Sequence, residues 1–258
     1  MTAELFAHNA ALVFGLMFAL WLVSVRLRDA SIVDPWWSIC FLLVTANTAI
    51  QTGLSPGKTL VLAAVAVWAL RLWLHLLLRS RGKPEDPRYA RFRRRYGPAR
   101  YWWVSLFQVF LLQGTLALVI STPLALSAAA APPDPITAFD LVGLAVFVVG
   151  FAFEAIADHQ LQRFRDDPQR GEVLDTGLWR LSRHPNYFGE AALWWGLWLC
   201  ALDQPGGWST GFAPALMTFL LLRVSGVTML DAHMTATRPS YREYARRTSA
   251  FWPRRPRV

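Results

Sequence analysis

The segment Ser182-Arg183-His184-Pro185-Asn186-Tyr187-Phe188-Gly189-Glu190 places an imidazole, a carboxamide, a phenol and a carboxylate directly before the apolar run Ala191–Leu202. These groups donate and accept hydrogen bonds, and setting them at the mouth of an apolar helix is costly unless a site uses them. The segment follows Leu178-Trp179-Arg180 and contains the chain's only His-Pro-Asn. Other ionisable groups keep similar company. Asp34 stands before a second apolar run, Arg71 and His75 lie near the end of a third, and Glu154 and Asp158 close another. Arg223, Asp231 and His233 close the last.

The elements that must position these groups are apolar helices. A chain of 258 residues with 54% hydrophobic content, 13 Trp and a mean hydropathy of +0.30 is too apolar for an ordinary soluble domain. Charge-free stretches run over Leu5–Val25, Pro35–Gly57 and Tyr101–Pro133. Each exceeds the ~20 residues a helix needs to cross a hydrocarbon core. Thr59–Leu78, Ile136–Ala157, Phe188–Leu202 and Gly211–Leu230 add four runs with an ionisable group near one end. The expectation is an all-α polytopic membrane protein with seven transmembrane helices, the sixth the shortest, forming a single domain over residues 1–258. Residues 1–100 would carry the substrate side and residues 101–258 the cofactor side. The first run lacks a basic lead and a small-residue cleavage site, so it does not read as a signal peptide.

The net charge of +9 is explained by where the arginines fall. Residues 79–100, the segment between the fifth and sixth runs, and the stretch after the seventh are rich in Arg, whereas 51–58, 124–139 and 203–210 hold one Lys and no Arg. This alternation predicts the N-terminus outside and the C-terminus in the cytoplasm. Membrane topology and contact with anionic lipid account for the basic excess, and nucleic-acid binding needs no role. Cys40 and Cys200 lie within apolar runs with no metal-ligand spacing, and read as small buried hydrophobes. No internal repeat of the transporter kind is present. In this topology the ionisable groups in or beside the spans, Asp140 and Asp203 apart, gather in the cytoplasmic half. Arg223 could instead snorkel to the interface, but the carboxylates gain nothing from an anionic leaflet. A polar pocket open to the cytoplasm follows.

Arg and Lys there could hold phosphates, Trp179, Tyr187 and Trp194 a flat ring, and Asn186, Asp158 and Glu190 a ribose or a nicotinamide. Neither G-x-G-x-x-G nor G-x-x-x-x-G-K-[ST] occurs, so a nucleotide would be held by side chains between helices.

Residues 178–190 resemble the C-terminal signature of the membrane steroid 5α-reductase family and its bacterial relatives, as do the stretches 79–89 and 238–253. The resemblance implies NADPH-dependent reduction of a conjugated enone, typically a 3-oxo-Δ4 steroid, with hydride reaching the β-carbon and an acid or donor at the carbonyl. It also implies that Asp158 and Arg165 are cofactor contacts, with Asn186, Glu190 and Trp194 after them. Glu154, His184 and Tyr187 fall in the same group, Arg71 and Lys83 are basic contacts around the third helix, and His233 is a histidine of the last. Asp34 matches the acidic residue that holds the substrate carbonyl, and Trp68 aligns with that residue's tyrosine partner. Asp34 could equally cap helix two, with Pro35 at its first position. His75 reads as an interfacial histidine.

Two rival classes remain. The Arg-His-Pro-x-Tyr-x-Gly-Glu pattern also occurs in S-adenosylmethionine-dependent membrane methyltransferases of the isoprenylcysteine carboxyl type, but Arg165, Arg71 and Lys83 suit a cofactor with three phosphates. A receptor or transporter would leave the Asn/Glu/Arg constellation unexplained. With 24 Arg against 2 Lys, a bacterial inner membrane is expected rather than an ER membrane, the site open to the cytoplasm, and the protein is expected to be a monomer.

Overall fold

The computed structural model describes residues 2–131, 134–224 and 226–256, and every regular element among them is helical. Four helices are long and apolar enough to cross a membrane: Ala3–Leu27, Pro56–Ser80, Pro98–Ile120 and Ala138–Asp166. Their outward faces carry exposed Phe6, Phe18, Leu22, Leu70, Phe107, Leu141 and Val148. Apolar surface on this scale suits a lipid environment rather than water. The chain divides into two compact units, Met1–Thr137 and Ala138–Val258.

In the first unit α1 (Ala3–Leu27) ends at Arg28, whose φ of 54° turns the chain sharply. Asp29 caps the short turn Ala30–Ile32 through the Ser31 amide, and α2 (Val33–Thr52) and α3 (Pro56–Ser80) follow. The cap at this corner is therefore Asp29. Asp34 lies inside α2, which corrects the reading of it as the helix cap. Val13, Met17, Phe41, Val65, Trp68 and Phe110 fill the core. Within it Asn9 donates to Thr48 at 3.0 Å and accepts from Asn47 at 2.7 Å. Such bonds tie helices together where lipid offers no hydrophobic drive for association.

The apolar stretch 101–133 does not form one helix. Pro98–Ile120 comprises α5 (Pro98–Ser105), a π-helical segment Leu106–Leu111 and α6 (Leu112–Ile120). Pro123 then sits in the first turn of a separate α7 (Thr122–Ala128), where its missing amide costs nothing. Before them α4 (Pro87–Tyr96) carries the basic run.

The second unit is built on α8 (Ala138–Asp166) and α9 (Pro185–Leu199). Gly150 and Gly189 let the two backbones touch. A Cβ on Gly150 would lie 2.4 Å from the Leu193 nitrogen, and one on Gly189 would lie 2.4 Å from the Glu154 nitrogen. One heptad away Gly143 and Gly196 repeat the contact, each Cβ falling 2.6 Å from the other's carbonyl oxygen. Small residues at a helix seam are the usual means of packing in lipid. Helix α8 also runs past the end of its apolar stretch at Ala157 to Asp166, because Gln160, Leu161, Gln162 and Arg163 are good helix formers. Beyond α9 come α10 (Phe212–Phe219), a π-helical segment Leu220–Val224, α11 (Val227–Thr237) and α12 (Pro239–Arg247).

Gly150→Ala is expected to lower stability by about 1–3 kcal/mol, since the new methyl group meets backbone that cannot give way. Gly15→Ala, with nothing within 4 Å, serves as the control and should be neutral or slightly stabilising. Thermal melting in detergent checks both; equal melting temperatures for the two variants would contradict the seam.

Candidate active site

In the first unit the chemistry centres on Asp34. Its Oδ1 accepts from the Tyr89 hydroxyl at 2.5 Å, and its Oδ2 accepts from Arg88 Nη2 at 2.7 Å. The Tyr89 hydroxyl in turn accepts from Gln113 Nε2 at 3.0 Å. Three elements therefore converge, with the carboxylate from α2, the phenol and guanidinium from α4, and the amide from α6.

The sequence before α4 explains how this assembly is held. Asp86 caps α4 by accepting from the Arg88 amide, and its Oδ1 also accepts from Arg88 Nε at 2.9 Å. Glu85 accepts from the Ala30 amide at 2.8 Å and takes both Arg93 Nε and Arg93 Nη2 at 2.8 Å. Arg93 lies over the Tyr101 ring, 4.6 Å from its centroid. Two neighbouring acidic residues thus fasten α4 to the corner before α2 and bring Tyr89 onto Asp34. Burial first, then the Asp34 charge and hydrogen bond, pushes the Tyr89 phenol well above its ordinary value of 10.0, so it stays a hydrogen-bond donor at working pH.

Trp68, aligned from the sequence with the carbonyl-side tyrosine, is fully buried with its ring 5.8 Å from Phe41. The hydroxyl that meets Asp34 comes from Tyr89 instead. Arg71 is half-buried on α3, while Lys83 is exposed in the turn that follows it. No motif or periodicity in the sequence marks Tyr89, Arg88 or Gln113 as site residues. Their only signal is a Tyr within the basic stretch 79–89 and a Gln interrupting an apolar run.

In the second unit the glycine seam sets α8 and α9 side by side with their polar residues facing. Asn186 Nδ2 donates to Asp158 Oδ1 at 3.1 Å, while the Asn186 Oδ1 is buried with no hydrogen-bond partner among the described residues. Glu154 stands one turn before Asp158 and is 2% exposed; Asp158 is 6% exposed. Glu190 is half-buried one turn along α9 from Asn186, Trp194 is fully buried one turn further, and Arg165 is exposed near the end of α8. Five expected residues, Glu154, Asp158, Asn186, Glu190 and Trp194, thus share this pair of helices.

His184 is buried and stacks on Tyr187, with ring centroids 5.6 Å apart. Its Nε2 lies 2.9 Å from Asp231 Oδ1, and Arg183 Nη1 lies 2.9 Å from Asp231 Oδ2. Tyr241 donates to the same carboxylate. Burial alone would raise the Asp231 carboxyl, but the His184 and Tyr241 hydrogen bonds and the His184 and Arg183 charges outweigh it and hold it below 3.8. The side chain of His233 lies outside the described residues.

A family model described as "Protein of unknown function (DUF1295)" matches residues 20–248. An uncharacterized protein of Schizosaccharomyces pombe, C594.04c, is 26% identical, the match covering 98% of this chain and 82% of the relative. Steroid 5-alpha-reductase DET2 of Arabidopsis thaliana is 37% identical over 57 residues, 22% of either chain.

The Glu85 carboxyl sits below its ordinary 4.5, since the Arg93 and Ala30 hydrogen bonds and the Arg93 charge outweigh the upward push of burial. A depressed carboxylate contributes its full stability above the unfolded value and loses it as pH falls through the folded one. The melting temperature is therefore expected to drop as pH falls below 4.5. Glu85→Gln should flatten that drop, and an unchanged slope would count against this anchor for α4.

Proposed function

We propose that this chain, which belongs to the DUF1295 family, is a membrane-embedded reductase that uses NADPH to saturate the conjugated C=C of a lipophilic enone, a 3-oxo-Δ4 steroid being the model substrate. The observation that carries the reading is the Asp34–Tyr89–Gln113 chain beside Arg88. The partial likeness to a steroid 5-alpha-reductase supports the same chemistry. Under this reading the chain crosses the membrane seven times, with its N-terminus outside and the site open to the cytoplasm. It works as a monomer in a bacterial inner membrane.

The Asn186 pair fits a nicotinamide nucleotide. Its carboxamide gives an N–H to Asp158 and keeps a buried oxygen without a donor among the described residues. A buried acceptor in that condition is costly, and a ligand amide or ribose hydroxyl supplies the missing donor. Asn186, Asp158, Glu154 and Glu190 would hold the nicotinamide and ribose end, beside the Trp194, Tyr187 and His184 rings. Within the same unit Arg165 and, less centrally, His233 would meet the phosphate end. When bound, NADPH supplies the hydride that the β-carbon of the enone receives.

The chain's own residues act at the carbonyl. A ketone oxygen has lone pairs and no proton, so it must be met by a donor. Tyr89 and Asp34 hold one proton between two oxygens 2.5 Å apart, and Gln113 and Arg88 fix where that proton stands. As the enolate oxygen gains charge, the Tyr89 hydroxyl turns its O–H from Asp34 to that oxygen, while Arg88 keeps the Asp34 carboxylate paired and its guanidinium stabilises the developing charge. Trp68 would serve the substrate side as part of the apolar packing, its ring 5.8 Å from that of Phe41.

NADPH should raise the melting temperature of the purified protein, and S-adenosylmethionine should raise it much less. A ligand at a hundredfold excess over its Kd adds about 2.7 kcal/mol. Asn186→Ala and Arg165→Ala should abolish the rise. Asp34→Asn and Tyr89→Phe should keep it, yet lose NADPH consumption with testosterone by roughly 10²-fold or more, the usual contribution of a positioned acid. A larger rise with S-adenosylmethionine would replace the reductase by a methyltransferase.

A further inference from the structure

The loop that leads into α9 is gripped from one side by residues far along the chain. Arg183 N donates to the Ser249 carbonyl at 2.9 Å, and Arg254 N donates to the Leu181 carbonyl at 2.9 Å. Between them Ser182 Oγ donates to the Phe251 carbonyl at 2.8 Å. Tyr244 donates to the Trp179 carbonyl at 2.5 Å, and Phe188 packs edge-on against Phe251 and Trp252. Segment 249–254 thus runs alongside residues 181–183 as a strap.

Asp231 adds a carboxylate to this arrangement. Arg183 and His184 are adjacent in the chain, and a single carboxylate takes one on each oxygen while also accepting from Tyr241. Holding two consecutive side chains on one anion restricts the backbone between them, where His184 has φ −140° and ψ 60°, outside the helical region that begins at Pro185. Asn186 follows two residues later, in the first turn of α9. A small rotation at His184 therefore moves the Asn186 carboxamide relative to Asp158, to which it is joined by one hydrogen bond of 3.1 Å.

We propose that Asp231 is a positioning residue for nucleotide binding: by clamping Arg183 and His184 it sets the angle at which α9 begins, and with it the place of the Asn186 carboxamide. This rests on the reading of Asn186 as a cofactor contact. Asp231 touches no reacting atom. Its effect reaches the cofactor through Asn186, and the strap 249–254 supports the same turn through backbone bonds that a change at Asp231 leaves in place.

The test titrates NADPH against the full-length wild-type protein, Asp231→Asn and Asp231→Ala in detergent, and follows the melting temperature of each without ligand. Asp231→Asn keeps the volume and one acceptor oxygen while removing the charge that Arg183 needs. Displacing a contact by about an ångström is enough to weaken its work roughly ten- to hundredfold. We expect Asp231→Ala to weaken NADPH binding by about that factor and Asp231→Asn by less, with ligand-free melting temperatures close to wild type. Hydrogen exchange should show faster amides at 183–187 and unchanged ones around Gly150. Unaltered NADPH affinity in Asp231→Asn and Asp231→Ala, with wild type binding normally, overturns the proposal and leaves the cofactor reading standing. A collapsed melting temperature in both variants assigns Asp231 a structural role only. Failure of wild type to bind NADPH removes the cofactor reading, and this inference with it.

Discussion

The second unit depends on backbone touching backbone at Gly150 and Gly189. In lipid, apolar side chains gain little by meeting each other rather than acyl chains, so helices associate through close packing and polar contacts. Any Cβ at these positions would fall within 2.4 Å of a neighbouring amide nitrogen. The glycines bring the axes close enough for a short side chain on α9 to span to a short one on α8. Asn186 and Asp158 are such a pair, and with longer spacing their 3.1 Å bond could not form. The polar grip and the apolar packing are thus consequences of one contact.

The first unit solves a different problem. A carboxylate at the start of an apolar helix needs partners, because leaving it buried and alone costs several kcal/mol even after relaxation. Asp34 receives a phenol and a guanidinium from α4, and that helix is held in turn by Glu85 and Asp86. The basic stretch 79–100 therefore has an interior use for Arg88 and Arg93, beyond any attraction to anionic lipid. The same geometry that satisfies Asp34 fixes the Tyr89 hydroxyl between the carboxylate it donates to and the Gln113 amide it accepts from.

Much of this was readable from residue types. Apolar runs mark the helices, and the carboxamide and carboxylates around 154–190 announce a polar seam, since such groups are rarely spent in lipid without a use. What was not readable depends on contacts between distant residues. Tyr89 reaches Asp34 across 55 positions and His184 reaches Asp231 across 47, and no periodicity encodes either meeting. The Trp68 alignment shows the same limit: position along the third helix points to a partner for Asp34 there, whereas the phenol arrives from α4. The break at Thr122-Pro123 was hidden inside a long apolar run because hydrophobicity outweighed the proline signal. The glycines stood in view at heptad spacing, Gly143 with Gly150 and Gly189 with Gly196. That they face one another is a fact of packing alone.

The central claim is that a hydride passes to a conjugated carbon while Asp34 and Tyr89 hold the carbonyl. NADPH deuterated at the transferring C4 position, incubated with the protein and a 3-oxo-Δ4 steroid, tests it most directly by mass spectrometry and NMR of the product. The account predicts one deuterium at the β-carbon of the reduced ring, with roughly a hundredfold less of that labelled product from Tyr89→Phe. Reduced product without deuterium, or a steroid left unchanged under conditions where NADPH is bound, would contradict it.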